Sequence, residues 1–137
     1  MSQFRLIILT PEKELYNAEI ERVLVPTDRG SLTILYQNYP LITLLVTGII
    51  KVIPVKEKPI YYAISQGVMQ NERDIVYILG SAIERSDQID VARALAAKER
   101  AEELIKRKHT DKNIDVQRAE AALNRALNRL KAASLNN

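Results

Sequence analysis

Arg125 and Arg129 stand four residues apart in a stretch of helical period, and neither has an Asp or Glu three or four positions away on either side. Two like charges on neighbouring turns destabilise a helix by a few tenths of a kcal/mol, about what an opposite pair would contribute in its favour. An anion from elsewhere is the natural counterpart. Upstream, Ile89-Asp90-Val91-Ala92-Arg93-Ala94 opens another helical stretch, and Arg93, Arg100 and Arg107 follow at seven-residue intervals, which keeps them on one face. Two helices carrying arginine stripes could together cradle a polyphosphate or an acidic partner surface, because the guanidinium fork suits phosphate and carboxylate alike.

The elements that must position these residues change character near residue 85. Before it, short runs rich in Ile, Val, Leu and Tyr predict strands at 4–9, 15–24, 32–35, 49–55, 60–65, 68–70 and 75–79, with breaks at Thr10-Pro11, Asp28-Arg29-Gly30, Thr47-Gly48, 56–59, Gly67 and 71–73. Seven or more short strands in this span imply a β-sandwich or flattened barrel. Leu6-Ile7-Ile8-Leu9 and Ile49-Ile50 are apolar on both strand faces. Burial inside the sandwich is the expected reason, with cover by another subunit as the alternative.

After Glu84 the period becomes helical, with Ser86 or Asp87 as the expected N-cap, Asp90 in the first turn, and a second start at Asp111 or Asn113. Polar residues 106–113 suit a hairpin tip. Val91, Ala94, Leu95, Ala97, Ala101, Leu104 and Ile105 share one side of the first helix, and Val116, Ala119, Leu123, Ala126, Leu127 and Leu130 one side of the second. The predicted fold class is therefore α+β: an N-terminal β-sandwich (flattened barrel), residues 1–85, followed by a C-terminal antiparallel two-helix hairpin, residues 86–137. Alanine at the seam lets helices approach closely but buries little, whereas a fully buried Leu or Ile contributes about 1.5–3 kcal/mol. Docking of these helices is expected to be marginal, so a modest ligand could bias opening and closing.

Composition narrows the function classes. With 137 residues and 47% apolar content the chain has enough material for a core. It contains no Cys and a single His, which leaves disulfides and thiolate metal sites impossible and metal catalysis poorly supported. His109 falls in the polar tip and is expected to face solvent. No apolar run approaches the roughly 18 residues of a membrane span, and no basic segment followed by an apolar core opens the chain, so no direct membrane insertion is expected. Net charge is +3, and residues 1–85 are balanced at nine basic to nine acidic. From residue 104 onward the count is eight basic to three acidic, so the end of the chain is a basic arm drawn to something acidic.

Several ordered motifs together resemble the epsilon subunit of bacterial F-type ATP synthase, over nearly the whole chain. Ile8-Leu9-Thr10-Pro11-Glu12 looks like the family's opening strand and turn, Ser65-Gln66-Gly67 stands in the place of its Ser-Gly-Gly, and Ala82-Ile83-Glu84-Arg85 resembles the lead into the helices. Ile89-Asp90-Val91-Ala92-Arg93-Ala94 matches the Ile/Leu-Asp-x-x-Arg-Ala signature associated with ATP binding in that family, and Arg118-Ala119-Glu120 through Leu130 matches its second helix. One region departs: where the family has Gly-His-x-Pro-Leu, this chain reads Leu35-Tyr36-Gln37-Asn38-Tyr39-Pro40-Leu41, keeping only Pro40 and Leu41. In the family that loop lies near the rotor ring, so the resemblance implies the same general position here and leaves the detail of the rotor contact open.

The resemblance implies a noncatalytic rotary-stalk subunit at the cytoplasmic face of the bacterial cell membrane, peripheral to it. Its sandwich would be fixed to the gamma subunit and the membrane rotor ring. Extended, its helices would inhibit by reaching the catalytic beta and alpha subunits, where an acidic loop of beta meets the basic arm; such charge complementarity governs encounter and register more than affinity. Folded down, the hairpin would hold ATP as a regulatory ligand, no cofactor being required. By resemblance, Glu84, Ile89 and Asp90 line the adenosine end, with Asp90 accepting from the adenine amino group, while Arg93, Arg100, Arg125 and Arg129 neutralise phosphates. The sequence holds no Gly-rich phosphate loop followed by Lys, so hydrolysis by this chain alone is not expected.

A plainer reading stands beside this one. Arg93 has Asp90 three residues back, Arg100 has Glu103 ahead, Arg107 has Glu103 behind and Arg118 has Asp115 behind, so each could belong to a solvated, salt-laced helix face. Glu84 could equally be a surface residue at a strand end. For Arg125 and Arg129 an anion partner is favoured, undecided between phosphate and the acidic loop. A small RNA-binding module would also use a basic arm, but residues 80–137 lack the interleaved aromatics of a stacking platform, so no nucleic acid is expected.

Overall fold

The computed structural model describes residues 3–36 and 40–136. It divides into two compact units, Met1–Arg85 and Ser86–Asn137.

The first unit is a single nine-stranded sheet: β1 (Phe4–Leu9), β2 (Glu14–Thr27), β3 (Gly30–Ile34), β4 (Leu41–Leu45), β5 (Gly48–Pro54), β6 (Ile60–Ile64), β7 (Gly67–Asn71), β8 (Ile75–Gly80) and β9 (Ile83–Arg85). Strands follow one another in the order β4-β7-β8-β1-β2-β5-β6-β9, with β3 pairing β2 off this path. The β1–β8 pair is parallel and the other pairs are antiparallel. Strict alternation in β1 sends Phe4, Leu6 and Ile8 inward, leaving Arg5, Ile7 and Leu9 half-covered on the other face. Burial inside the unit thus accounts for one apolar face of that strand. On β2 the inward residues Ile20 and Val23 break the two-residue period because the register against β5 shifts between Ile20 and Arg22, a bulge that returns Val23 and Val25 to the core. These side chains join Ile34, Leu45, Ile50, Val52, Tyr62, Ile64, Met69, Val76, Ile78 and Ile83 in one cluster, so a single core sits between the layers of a folded-over sheet, the predicted sandwich.

Two strands were not legible as strands in the sequence. β4 lies at an edge beside β7, with Ile42 and Leu44 left 70% and 72% exposed while Leu45 enters the core, so its outward residues are as apolar as its inward one and no polar alternation marks the strand in the sequence. β9 is three residues long and is held by pairing with Ile64, Ala63 and Tyr62 of β6, a long-range contact that local pattern cannot show. The long β2 also runs on to Thr27, where Thr27 Oγ1 donates to the Gly30 carbonyl at 2.7 Å and shapes the turn into β3. Gln37, Asn38 and Tyr39, the centre of the altered loop, lie outside the described residues.

In the second unit a 3-10 turn, Ser86–Gln88, precedes α1 (Val91–Lys106); a 3-10 turn Arg107–His109 leads to the connection before α2 (Val116–Ala133), and a last 3-10 turn spans Ser134–Asn136. The side chain of His109 lies outside what the structure describes. Both helix starts differ from those expected. Asp90 rather than Ser86 or Asp87 caps α1, its extended backbone (φ −78°, ψ 99°) letting Oδ1 accept from the Arg93 N–H at 3.0 Å. Asp115 rather than Asp111 or Asn113 caps α2 in the same way (φ −79°, ψ 99°), accepting from the Arg118 N–H at 3.1 Å. The earlier polar residues serve turns instead, as where Asp111 Oδ1 accepts from the Asn113 N–H at 2.9 Å.

Gly67 sits opposite Gly80 where β7 meets β8, and a Cβ there would run into the Leu79 carbonyl oxygen and crowd Ile64. Gly67→Ala is therefore expected to lower stability by about 1–3 kcal/mol, read as a lower urea midpoint at unchanged slope. Tyr16 packs edge-on against Tyr62, ring centroids 6.4 Å apart at 74°. Burial, reinforced by the charge of Glu57 and opposed by Arg85, raises the Tyr16 phenol above its ordinary 10.0. Because the folded state prefers the neutral phenol, this stabilisation is fully present below the ordinary value and is lost as pH climbs through the raised one. Urea titrations above pH 10 are expected to show a smaller further loss of stability in Tyr16→Phe than in the parent.

Candidate functional site

Five alanines are buried in the two helices, and all but Ala132 are preceded by an arginine: Arg93-Ala94, Arg100-Ala101, Arg118-Ala119 and Arg125-Ala126. These four alanines are buried, at 0%, 3%, 4% and 3% exposure, where α1 packs against α2. The dipeptide fixes geometry, because one residue before the seam is a rotation of about 100° on a 3.6-residue period. In antiparallel helices that flank falls on the same broad side of both. The four arginines, with Arg129 one turn beyond Arg125, therefore share one broad face of the hairpin. Leu95 and Leu127, each one residue after its seam alanine, occupy the opposite face and are 43% and 44% exposed.

A repeat underlies this arrangement that the strand-and-helix reading missed. Residues 89–101 read IDVARALAAKERA and residues 114–126 read IDVQRAEAALNRA, so the signature opening appears twice, each time with an Asp cap, an exposed Arg and a buried Ala in equivalent places. Aligning the chain against itself would have found it.

The structure brings six of the seven predicted site residues into the helical unit. Ile89 is buried at its base, Asp90 caps α1, and Arg93, Arg100 and Arg125 are exposed while Arg129 is half-buried. Ser86 and Asn136 meet across the base, where Asn136 Nδ2 donates to the Ser86 carbonyl at 2.9 Å, which places the C-terminal turns of α2 beside the first turn of α1. Arg129 and Arg93 thus lie toward the same end. The seventh residue, Glu84, belongs to the sandwich unit, in β9 opposite Ala63. Among the described residues, the guanidinium groups of Arg93, Arg100, Arg118 and Arg125 meet no carboxylate at ion-pair distance, whereas Lys98 and Glu102 do pair, at 3.6 Å. The local i,i+3 pairings that would neutralise Arg93, Arg100 and Arg118 are not made. Chemically, the face is a row of forked cations open to solvent, fit to receive phosphate or carboxylate oxygens. Among the described residues no cluster of three or more His, Asp or Glu could hold a metal, and no helix is long and apolar enough to cross a membrane.

A sheet unit followed by a long-helix unit defines a class, and both parts match it: residues 3–86 match the β-sandwich domain, and residues 87–134 the long α-helix domain, of the ATP synthase delta/epsilon chain. The ATP synthase epsilon chain of Desulforamulus reducens is 44% identical over 129 residues, covering 94% of this chain and 96% of its own length. That of Caldanaerobacter subterraneus is 42% identical over 133 residues, covering 96% and 94%. In fold the chain is also similar to one in the Euglena gracilis mitochondrial ATP synthase, in a structure of its OSCP, F1 and c-ring, with a TM-score of 0.80 at 22% identity over 98% of this chain and 82% of that one. The chain belongs to the ATP synthase epsilon chain family. Epsilon chains are noncatalytic subunits of the central stalk of ATP synthase, and this chain carries both of their domains.

The Asp90 carboxylate has a structural task in the ligand-free hairpin. Asp90→Ala and Asp115→Ala are each expected to cost about 1 kcal/mol of helical stability without any nucleotide, detected as faster amide exchange in the first turn of the affected helix. Unchanged exchange in both would show the caps to be idle.

Proposed function

We propose that this chain couples the catalytic part of a proton-translocating F-type ATP synthase to its membrane rotor ring, at the cytoplasmic face of the bacterial membrane, and restrains ATP hydrolysis through its C-terminal helices. ATP bound to the hairpin favours the folded-down state. The observation that carries the nucleotide part is the arginine face: Arg93 and Arg100 from α1 and Arg125 and Arg129 from α2 share one side, and the guanidinium groups of the first three make no ion pair among the described residues. Like-charged groups on one face repel until an anion arrives, so a polyphosphate gains from all of them together. Ile89 and Asp90 lie at the same end of the hairpin as Arg93 and Arg129, and that is the end expected to take the base.

For the sandwich the supporting feature is the edge at β4. Leu41, Ile42, Leu44 and Val46 are exposed there, with Leu79 of β8 two strands away in the same sheet. Apolar side chains left open at a sheet edge suit a permanent partner, here the gamma subunit and rotor ring. Extended toward the catalytic beta and alpha subunits, the basic helices would meet acidic surface.

A second reading keeps the complex but treats the helices as a fixed inhibitory element that binds no ATP. It is favoured by Asp90, whose carboxylate is already engaged as a cap. Calorimetric titration of the full chain with ATP separates the two. Hydrogen bonds to charged groups contribute about 1.5–3 kcal/mol each, so two to four of them, less the cost of ordering the hairpin, give a dissociation constant between roughly 1 μM and 1 mM. Arg93→Ala and Arg125→Ala should each weaken it about tenfold or more. Absence of heat at millimolar ATP would leave the second reading.

A further inference from the structure

The two ends of the hairpin meet in a hydrogen-bonded residue pair. Ser86 opens the helical unit and Asn136 lies in its last 3-10 turn, fifty positions on. The Ser86 hydroxyl donates to Asn136 Oδ1, and Asn136 Nδ2 donates to the Ser86 carbonyl at 2.9 Å, so a single amide is used at both its oxygen and its nitrogen. Ser86 is only 4% exposed, and its carbonyl also lies 3.5 Å from the Ile89 N–H, which ties the pair to the segment leading into Asp90. Within α1 and α2 the buried side chains are alanines, which contribute little per residue. The clasp also depends on both ends of a long loop being together, so it is lost as soon as they part.

We propose that the Ser86–Asn136 clasp is the latch of the folded-down state: the contact that opening of the helices must break, and that sets how readily they open. This rests on the reading that the helices move, and it deepens it by naming the release point. A ligand or contact shifts a two-state equilibrium only through interactions that differ between the states. Hydrogen bonds between residues fifty apart differ in this way, whereas the caps and the i,i+4 ladder of each helix survive when the helices separate. The latch lies at the base of the hairpin, beside the end where Arg93 and Arg129 stand, so nucleotide held there and the clasp favour the same closed arrangement.

The test is a double-mutant cycle on the full chain. Amide exchange without nucleotide is followed in the C-terminal turns of α2 and in the strands of the sandwich for Ser86→Ala, Asn136→Ala and the pair. Each single substitution is expected to speed exchange in α2 about five- to tenfold while the strands stay as in the parent, and the double substitution should add little further because both remove one shared contact. ATP titration of the same variants should show apparent affinity falling by a similar factor, since less of the binding-competent form is present. Unchanged exchange in α2, or effects of the two substitutions that simply add, would overturn the latch. If the parent chain binds no ATP, the nucleotide reading fails by itself, and the exchange cycle still decides whether the clasp holds the hairpin.

Discussion

The helical unit depends on an alanine seam. The side chains buried in the two packed helices are Ala94 and Ala101 of α1 and Ala119, Ala126 and Ala132 of α2, and side chains this small let two helices approach closely while removing little apolar area from water. Close approach and weak adhesion come from the same choice of residue. A leucine seam would hold the helices more firmly at a wider spacing. The placing of the arginines also follows from the seam, since each lies one residue before an alanine whose direction is fixed by packing.

The sandwich has the opposite design. Its core takes large side chains from strands far apart in sequence, including Phe4, Ile20, Tyr62 and Met69, all nearly inaccessible to water. Burying many such groups gives the cooperative stability that a two-helix hairpin cannot supply alone. The chain thus joins a firmly packed unit to a lightly packed one. That contrast suits a part that must stay attached while another part responds, because low-stability elements are the ones available for movement.

Charge is divided in the same manner. The sheet unit balances its acids and bases, and its exposed apolar residues gather at the β4 edge. The helical unit holds the excess of positive charge and orders its arginines along one face, leaving Leu95 and Leu127 on the other. Carboxylates are close enough in sequence to neutralise Arg93, Arg100 and Arg118, yet Asp90 and Asp115 turn to the backbone as caps and Glu103 makes no ion pair with Arg100 or Arg107 among the described residues. Orphan N–H groups at a helix start compete for the same oxygen that a nearby guanidinium would use.

The strand-rich first part, the helical hairpin and the arginine stripes were legible in residue order because each is written in a local period: two for strands, about 3.6 for helices, seven for the stripes. Even the shared arginine face is implicit in four Arg-Ala dipeptides once the alanines are known to meet. Tertiary structure decided what local period cannot encode. It chose Asp90 and Asp115 over earlier polar residues as caps, since several candidates compete and only backbone geometry selects among them. It made a strand of 83–85 by pairing it with β6, turned the apolar run at 41–45 into an exposed edge, and brought Ser86 to Asn136. Each of these joins residues distant in the chain or depends on a neighbour's position, and neither is present in a window of sequence.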